Sequence, residues 1–158
     1  MANLISVENL KVYFKNRYGF LMRKRKLIRA VDDISFKIKK GQTVGLVGES
    51  GSGKSTTGRA IARLVPISGG SIKYEGSSLS SMTETSYRPY RKKIQMIFQD
   101  PYGSLNPRMK VGDSIAEPLS VHHRHLNYGE RREKVAFYLN KVGLSADMMK
   151  RFPHEFSG

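Results

Sequence analysis

Residues 48–55 read Gly48-Glu49-Ser50-Gly51-Ser52-Gly53-Lys54-Ser55, a match to G-x-x-x-x-G-K-[ST]. The stretch before it, Thr43-Val44-Gly45-Leu46-Val47, is short, β-branched and apolar, as expected of a buried central strand. The stretch after it, from Ser55 to Val65, carries Ala60, Ile61, Leu64 and Val65 at helical spacing and stops before Pro66. A glycine-rich loop between a strand and a helix suits polyphosphate. Glycines let backbone N–H groups turn inward at close range, and the helix adds the positive end of its dipole. In that reading Lys54 brings a full charge to the β- and γ-phosphates, and the Ser55 hydroxyl ligates Mg²⁺. Thr56 follows at the opening of the helix. The bland alternative is a glycine-rich turn with an incidental lysine. A dinucleotide fingerprint starting at Gly51 fails, because it needs glycine where Thr56 stands. The loop predicts a nucleoside triphosphate site, with ATP as the ligand.

Working outward, Leu4 to Phe14 and Ala30 to Ile38 alternate apolar and polar residues and predict two strands, separated by an irregular basic insert that ends at Arg29. Lys40-Gly41 marks a turn. Ser71 to Glu75 predicts a short strand after the Ser68-Gly69-Gly70 turn. Residues 77–86 read mostly as loop, and Ile94-Gln95-Met96-Ile97-Phe98 as a second buried strand. From residue 103 onward no stretch reads as a strand, and helices are predicted near 111–121, 129–142 and 145–151.

Composition bounds the rest. The 158 residues are 39% hydrophobic and 26% charged, an ordinary globular balance. No apolar run approaches the roughly 18 residues that a membrane helix needs, and the opening MANLISVENLK carries no secretory signal. The absence of cysteine excludes disulfides, iron–sulfur clusters and thiolate zinc sites from this sequence. Lys and Arg number 28 against 13 Asp and Glu, a net charge of +15, with the densest block at Arg23-Lys24-Arg25-Lys26. No nucleic-acid recognition pattern surrounds that block, so a solvated or membrane-adjacent loop is the better reading. His122, His123 and His125 have no carboxylate or thiol beside them at ligand spacing and read as surface histidines.

Three segments then carry a family resemblance: Leu46 to Thr57 around the phosphate loop, Ile94-Gln95-Met96-Ile97-Phe98-Gln99-Asp100-Pro101, and Arg151-Phe152-Pro153-His154-Glu155-Phe156-Ser157-Gly158. Across its whole length the chain resembles the nucleotide-binding subunits of ATP-binding-cassette (ABC) transporters. The run from Gln99 to Met109, with Glu117-Pro118-Leu119, Lys141 to Leu144 and Phe152 to Glu155, looks like the oligopeptide/dipeptide importer branch.

The resemblance implies a P-loop NTPase (ABC ATPase) α/β core with an antiparallel β subdomain and an appended helical subdomain, incomplete at the C-terminus. Residues 1–101 would form the nucleotide-binding part and 102–158 the helical part. It implies ATP and Mg²⁺ as ligands, with Gly48, Glu49, Ser50, Gly51, Ser52, Gly53, Lys54, Ser55 and Thr56 around the phosphates. Phe14, or alternatively Tyr13, would stack on adenine. Gln99 would serve as metal ligand and water-holder, and Ser157 and Gly158 would open the signature that grips the nucleotide of a second subunit.

Implied partners are that second ATPase subunit in a head-to-tail dimer, transmembrane permease subunits and, indirectly, an extracytoplasmic peptide-binding protein. The place would be the cytoplasmic face of the cell membrane. The family's Asp-Glu strand and switch histidine do not occur in these residues, so the chain is expected not to hydrolyse ATP alone. The rival readings are a non-transport ABC ATPase acting on nucleic acid or ribosomes, and a stand-alone P-loop kinase.

Overall fold

The computed structural model describes residues 3–18, 24–100 and 103–156. They fall into two compact units, Met1–Met96 and Ile97–Gly158.

The first unit is organised by a long antiparallel pair, β1 (Asn3–Tyr18) with β2 (Lys24–Lys39). Strand β3 (Gly69–Tyr74) pairs with the other edge of β1, and the two-residue β4 (Ser77–Ser78) closes the order β2-β1-β3-β4. The alternation read from Leu4 explains why this sheet has one wet face. Ile5, Val7, Leu10 and Val12 are buried, while the residues between them are more open. Helix α1 (Lys54–Ile61) lays Ala60 against that face, and Val31, Ile72, Leu79 and Tyr87 complete the core.

Tyr87 ends the short α2 (Glu84–Tyr87), which is capped by Thr83. Its ring is buried, and its hydroxyl donates to the Ala62 carbonyl at 3.1 Å. Arg63 stacks over the ring at 4.6 Å and donates to the Met82 carbonyl at 3.0 Å. Burial pushes the Tyr87 hydroxyl above its usual pKa, and Arg63 pulls the other way.

The second unit pairs α3 (Val111–His122) with α4 (Tyr128–Lys141) around Leu119, Val135 and Leu139. Asn127 starts α4 with a capping box, its side chain accepting from the Glu130 amide while the Glu130 carboxylate accepts from the Asn127 amide. A 3₁₀ turn, Ala146–Lys150, packs Met149 against the same core.

Four expectations change. The supposed irregular insert continues the β1–β2 ladder as far as Tyr18 opposite Lys24. The first helix stops at Ile61 rather than Val65, because Arg63 takes a left-handed backbone (φ 52) that a helix cannot continue. The predicted helix at 145–151 is only the 3₁₀ turn.

The fourth change is the largest. Residues 43–47 and 94–98, read as buried strands, are not strands, and Val47 and Ile97 are 95% and 98% exposed. An apolar run states a preference for burial, but a strand also needs a neighbour to take its hydrogen bonds. Among the described residues the sheet holds only β1 to β4, and none of them pairs with either run.

Candidate phosphate-binding site

The loop from Gly48 to Gly53 closes on itself before α1 begins. The Ser52 amide donates to the Glu49 carbonyl at 3.2 Å, with Ser50 and Gly51 forming the bend. Gly51 and Gly53 both sit at left-handed backbone angles, φ 81 and 91. At Gly53 there is a second constraint. A β-carbon there would stand 2.2 Å from the Ala30 carbonyl oxygen, closer than atoms can pack. Ala30 is skipped by the ladder, which passes from Val31 opposite Val12 to Arg29 opposite Tyr13. That irregularity sets the Ala30 carbonyl against the loop.

From Gly53 the helix starts cleanly. The Thr57 amide and hydroxyl both donate to the Gly53 carbonyl, at 2.8 and 3.0 Å, and Thr57 is buried. No acidic residue lies in the first turn of α1, so no carboxylate competes for its positive end. Lys54 bends back across the loop. Its ammonium donates to the Gly48 carbonyl at 2.7 Å, to the Glu49 carbonyl at 2.5 Å and to the Ser52 hydroxyl at 3.3 Å. Three N–H donors therefore meet three acceptors, the last of them at long range. Ser55 is exposed and Thr56 half-buried beside it.

The structure thus gathers Gly48, Glu49, Ser52 and Lys54 into one mutually bonded loop, with Gly53 bonded to Thr57 at the start of α1. Gln99 is exposed in the second unit, and Ser157 and Gly158 lie outside the described residues. The two aromatic candidates part company. The Tyr13 hydroxyl donates to Asp32, and Arg29 lies over its ring at 5.7 Å while holding Asp32 at 3.3 Å. The hydrogen bond to Asp32 raises the Tyr13 pKa and lowers that of Asp32. The Phe14 ring is exposed.

Sequence reasoning missed Ala30 and Thr57. Nothing in the sequence announces the ladder irregularity at Ala30. A second Thr directly after Ser55-Thr56 is a faint sign of the hydroxyl that closes the first helical turn. Among the described residues no group of three or more His, Asp or Glu is placed to hold a metal. His123 and His125 meet edge to face at 5.9 Å.

The chain is 48% identical over 157 residues to the oligopeptide transport ATP-binding protein OppF of Haemophilus influenzae, covering 98% of the chain and 47% of that protein. It is also 48% identical over 151 residues to the peptidoglycan transport ATP-binding protein YejF of Agrobacterium fabrum, covering 96% of the chain and 28% of that protein. The chain therefore spans about half or less of the length of these relatives. The fold is similar to the ATP-binding cassette MJ0796, solved as a dimer in a post-hydrolysis state bound to ADP and Pi. The TM-score is 0.77 at 21% identity, covering 97% of this chain and 63% of that one. Residues 31–158 match the ABC transporter family, a span that contains the whole phosphate loop. The chain belongs to that family.

Proposed function

We propose that the chain is the nucleotide-binding part of an ATPase subunit that couples ATP binding and hydrolysis to the import of oligopeptides or dipeptides. The observation that carries the nucleotide reading is the Lys54 ammonium, held across the loop at the start of a helix whose first turn has no acid. A phosphate oxygen entering there takes over the long 3.3 Å bond to Ser52 and gains backbone amides from the loop and from α1.

Exposed Ser55 would hold Mg²⁺, whose charge offsets that of the phosphates, and the family resemblance makes the Gln99 amide oxygen a metal ligand as well. Phe14 supplies a face for adenine. The engagement of Tyr13 with Asp32 and Arg29 supports Phe14 over its neighbour. Residues 1–101 act as the nucleotide-binding part and 102–158 as the helical part, with Ser157 and Gly158 contributing to the site of a second subunit.

The relatives named for oligopeptide transport support the peptide-import reading. Its partners are then a second ATPase subunit, permease subunits in the membrane and, at one remove, a peptide-capture protein. Its place is the cytoplasmic face of the membrane. Titration with Mg-ATP, comparing the chain with Lys54→Ala, tests the central claim. Loss of a charged hydrogen-bonding group weakens binding by about tenfold to a hundredfold. Equal affinities would overturn the assignment.

A further inference from the structure

The second unit holds a cavity of about 510 Å³ among α3, α4 and the 3₁₀ turn Ala146–Lys150. That volume falls in the range usual for small-molecule sites, about 300–1,000 Å³. One end is fixed by backbone. The Val111 amide donates to the Arg151 carbonyl at 2.8 Å, and a β-carbon on Gly112 would stand 2.7 Å from the Met149 carbonyl oxygen. Val135 and Met149 give the cavity apolar lining from the core of this unit.

Its two helical walls carry opposite charge. Asp113 and Glu117 stand one turn apart on α3, and Arg131 and Arg132 line the cavity from α4. Among the described residues neither carboxylate belongs to an ion pair. Asp113 gains from the positive end of α3, but Glu117 lies a turn too deep for that, and like charges at this spacing repel. Arg132 is engaged, donating to the Tyr128 hydroxyl at 3.1 Å and lying over that ring at 5.7 Å. Arg131 places its Nε on the Asn127 carbonyl at 3.3 Å, and among the described residues its terminal nitrogens meet no carboxylate.

We infer that this cavity binds a small zwitterion, a molecule with one free ammonium and one free carboxylate, as amino acids and short peptides have. Its ammonium meets Asp113 and Glu117, and its carboxylate meets Arg131. A plain anion would leave the acidic wall uncompensated and a plain cation the basic one, so only a ligand charged at both ends complements both. Lys110 and Lys150 also border the cavity, with Lys150 drawn toward Asp147 at 3.8 Å. No residue of the phosphate loop takes part, so the proposal stands or falls separately from the nucleotide reading.

The test is calorimetric titration of the chain at neutral pH with alanylalanine, with its N-acetylated form and with its C-terminal amide. The unblocked dipeptide is expected to bind saturably. Each blocked form loses one charged hydrogen-bonding end and binds about tenfold to a hundredfold more weakly. That comparison needs no variant, so it decides the matter even if a substitution prevents folding. Alanine, titrated alongside, separates the two sources, because the tighter of alanine and alanylalanine names a free amino acid or a peptide.

The walls are then assigned by two variants. In Asp113→Asn with Glu117→Gln the unblocked and acetylated dipeptides bind alike, while the amide is still discriminated against. In Arg131→Gln the pattern reverses. A merely structural effect would weaken all three ligands together and leave these ratios unchanged, which overturns the proposal. Equal binding of the three dipeptides by the unaltered chain overturns it as well, and so does an absence of saturable binding by both alanylalanine and alanine.

Discussion

The carbonyl oxygen of Ala30 occupies the space that a side chain on Gly53 would need, 2.2 Å from where its β-carbon would stand. The antiparallel sheet and the phosphate loop are therefore fitted to each other at one atom. Gly53→Ala must move one of them as well as strain the backbone at φ 91. The left-handed conformation alone costs a side chain about 1–2 kcal/mol. Gly51 has a similar angle, φ 81, but open space around it, so Gly51→Ala meets only that conformational cost. Thermal denaturation should rank Gly53→Ala well below Gly51→Ala. ATP titration should show binding abolished in the first and reduced in the second.

Tyr13 and Phe14 are adjacent but engaged differently, which makes them separable by substitution. Phe14→Ala removes an exposed ring and should lower ATP affinity by about threefold to tenfold, the usual worth of an aromatic stack. Tyr13→Phe keeps the ring and deletes the hydroxyl bonded to Asp32, so it should lower the melting temperature with little change in affinity. The reverse outcome, measured by calorimetry, would exchange their roles.

Acid should destabilise the first unit by a predictable route. Glu8 accepts from the Lys73 ammonium at 3.0 Å and from the Ser71 hydroxyl at 3.1 Å, and these bonds, Lys73 first, hold its carboxyl below its ordinary 4.5. Asp32 is lowered by Tyr13, and Glu84 by Arg91. A lowered folded pKa means that the unfolded chain takes up protons first. The stability these groups add is present above their unfolded values and is lost as pH falls through the folded ones. The melting temperature should thus stay level down to about pH 5 and decline below it, with a shallower decline in Glu8→Gln. Tyr13 has the opposite sign. Its raised pKa favours the neutral phenol, so that contribution holds below 10.0 and fades as pH climbs past the folded value. Tyr13→Phe should flatten the alkaline limb.

The two apolar runs without a ladder partner give the fourth prediction. Val47 and Ile97 are almost wholly exposed, so Val47→Ser and Ile97→Ser should change stability by no more than about 0.5 kcal/mol. Both should lower the fluorescence of a dye that binds exposed apolar surface. A large loss of stability in either would place that residue in a packed core.

The same pair of runs marks where the sequence stopped being legible. The alternation in β1 and β2, the helical spacing in α3 and α4 and the glycine-lysine pattern of the loop are local signals, and each produced its element close to where it was read. Burial of Thr43 to Val47 and Ile94 to Phe98 depends on what lies alongside them, which a linear run of apolar residues does not encode. The outer end of the β1–β2 ladder was hidden for a related reason. Lys15 to Tyr18 and Lys24 to Leu27 are too uniformly polar and basic to alternate, although they pair in register. Within the site, the loop residues were readable by type. The orientation of Lys54 onto Gly48 and Glu49, and the wedge formed by Ala30, required coordinates.

The bonds from Lys54 to its own loop have a kinetic side as well. A loop already drawn together by an ammonium has little left to order when a nucleotide arrives, so little entropy is lost on the protein side. Association with this loop should then run at the speed of an oriented encounter between charges, quick and sensitive to ionic strength, with no slow rearrangement ahead of it.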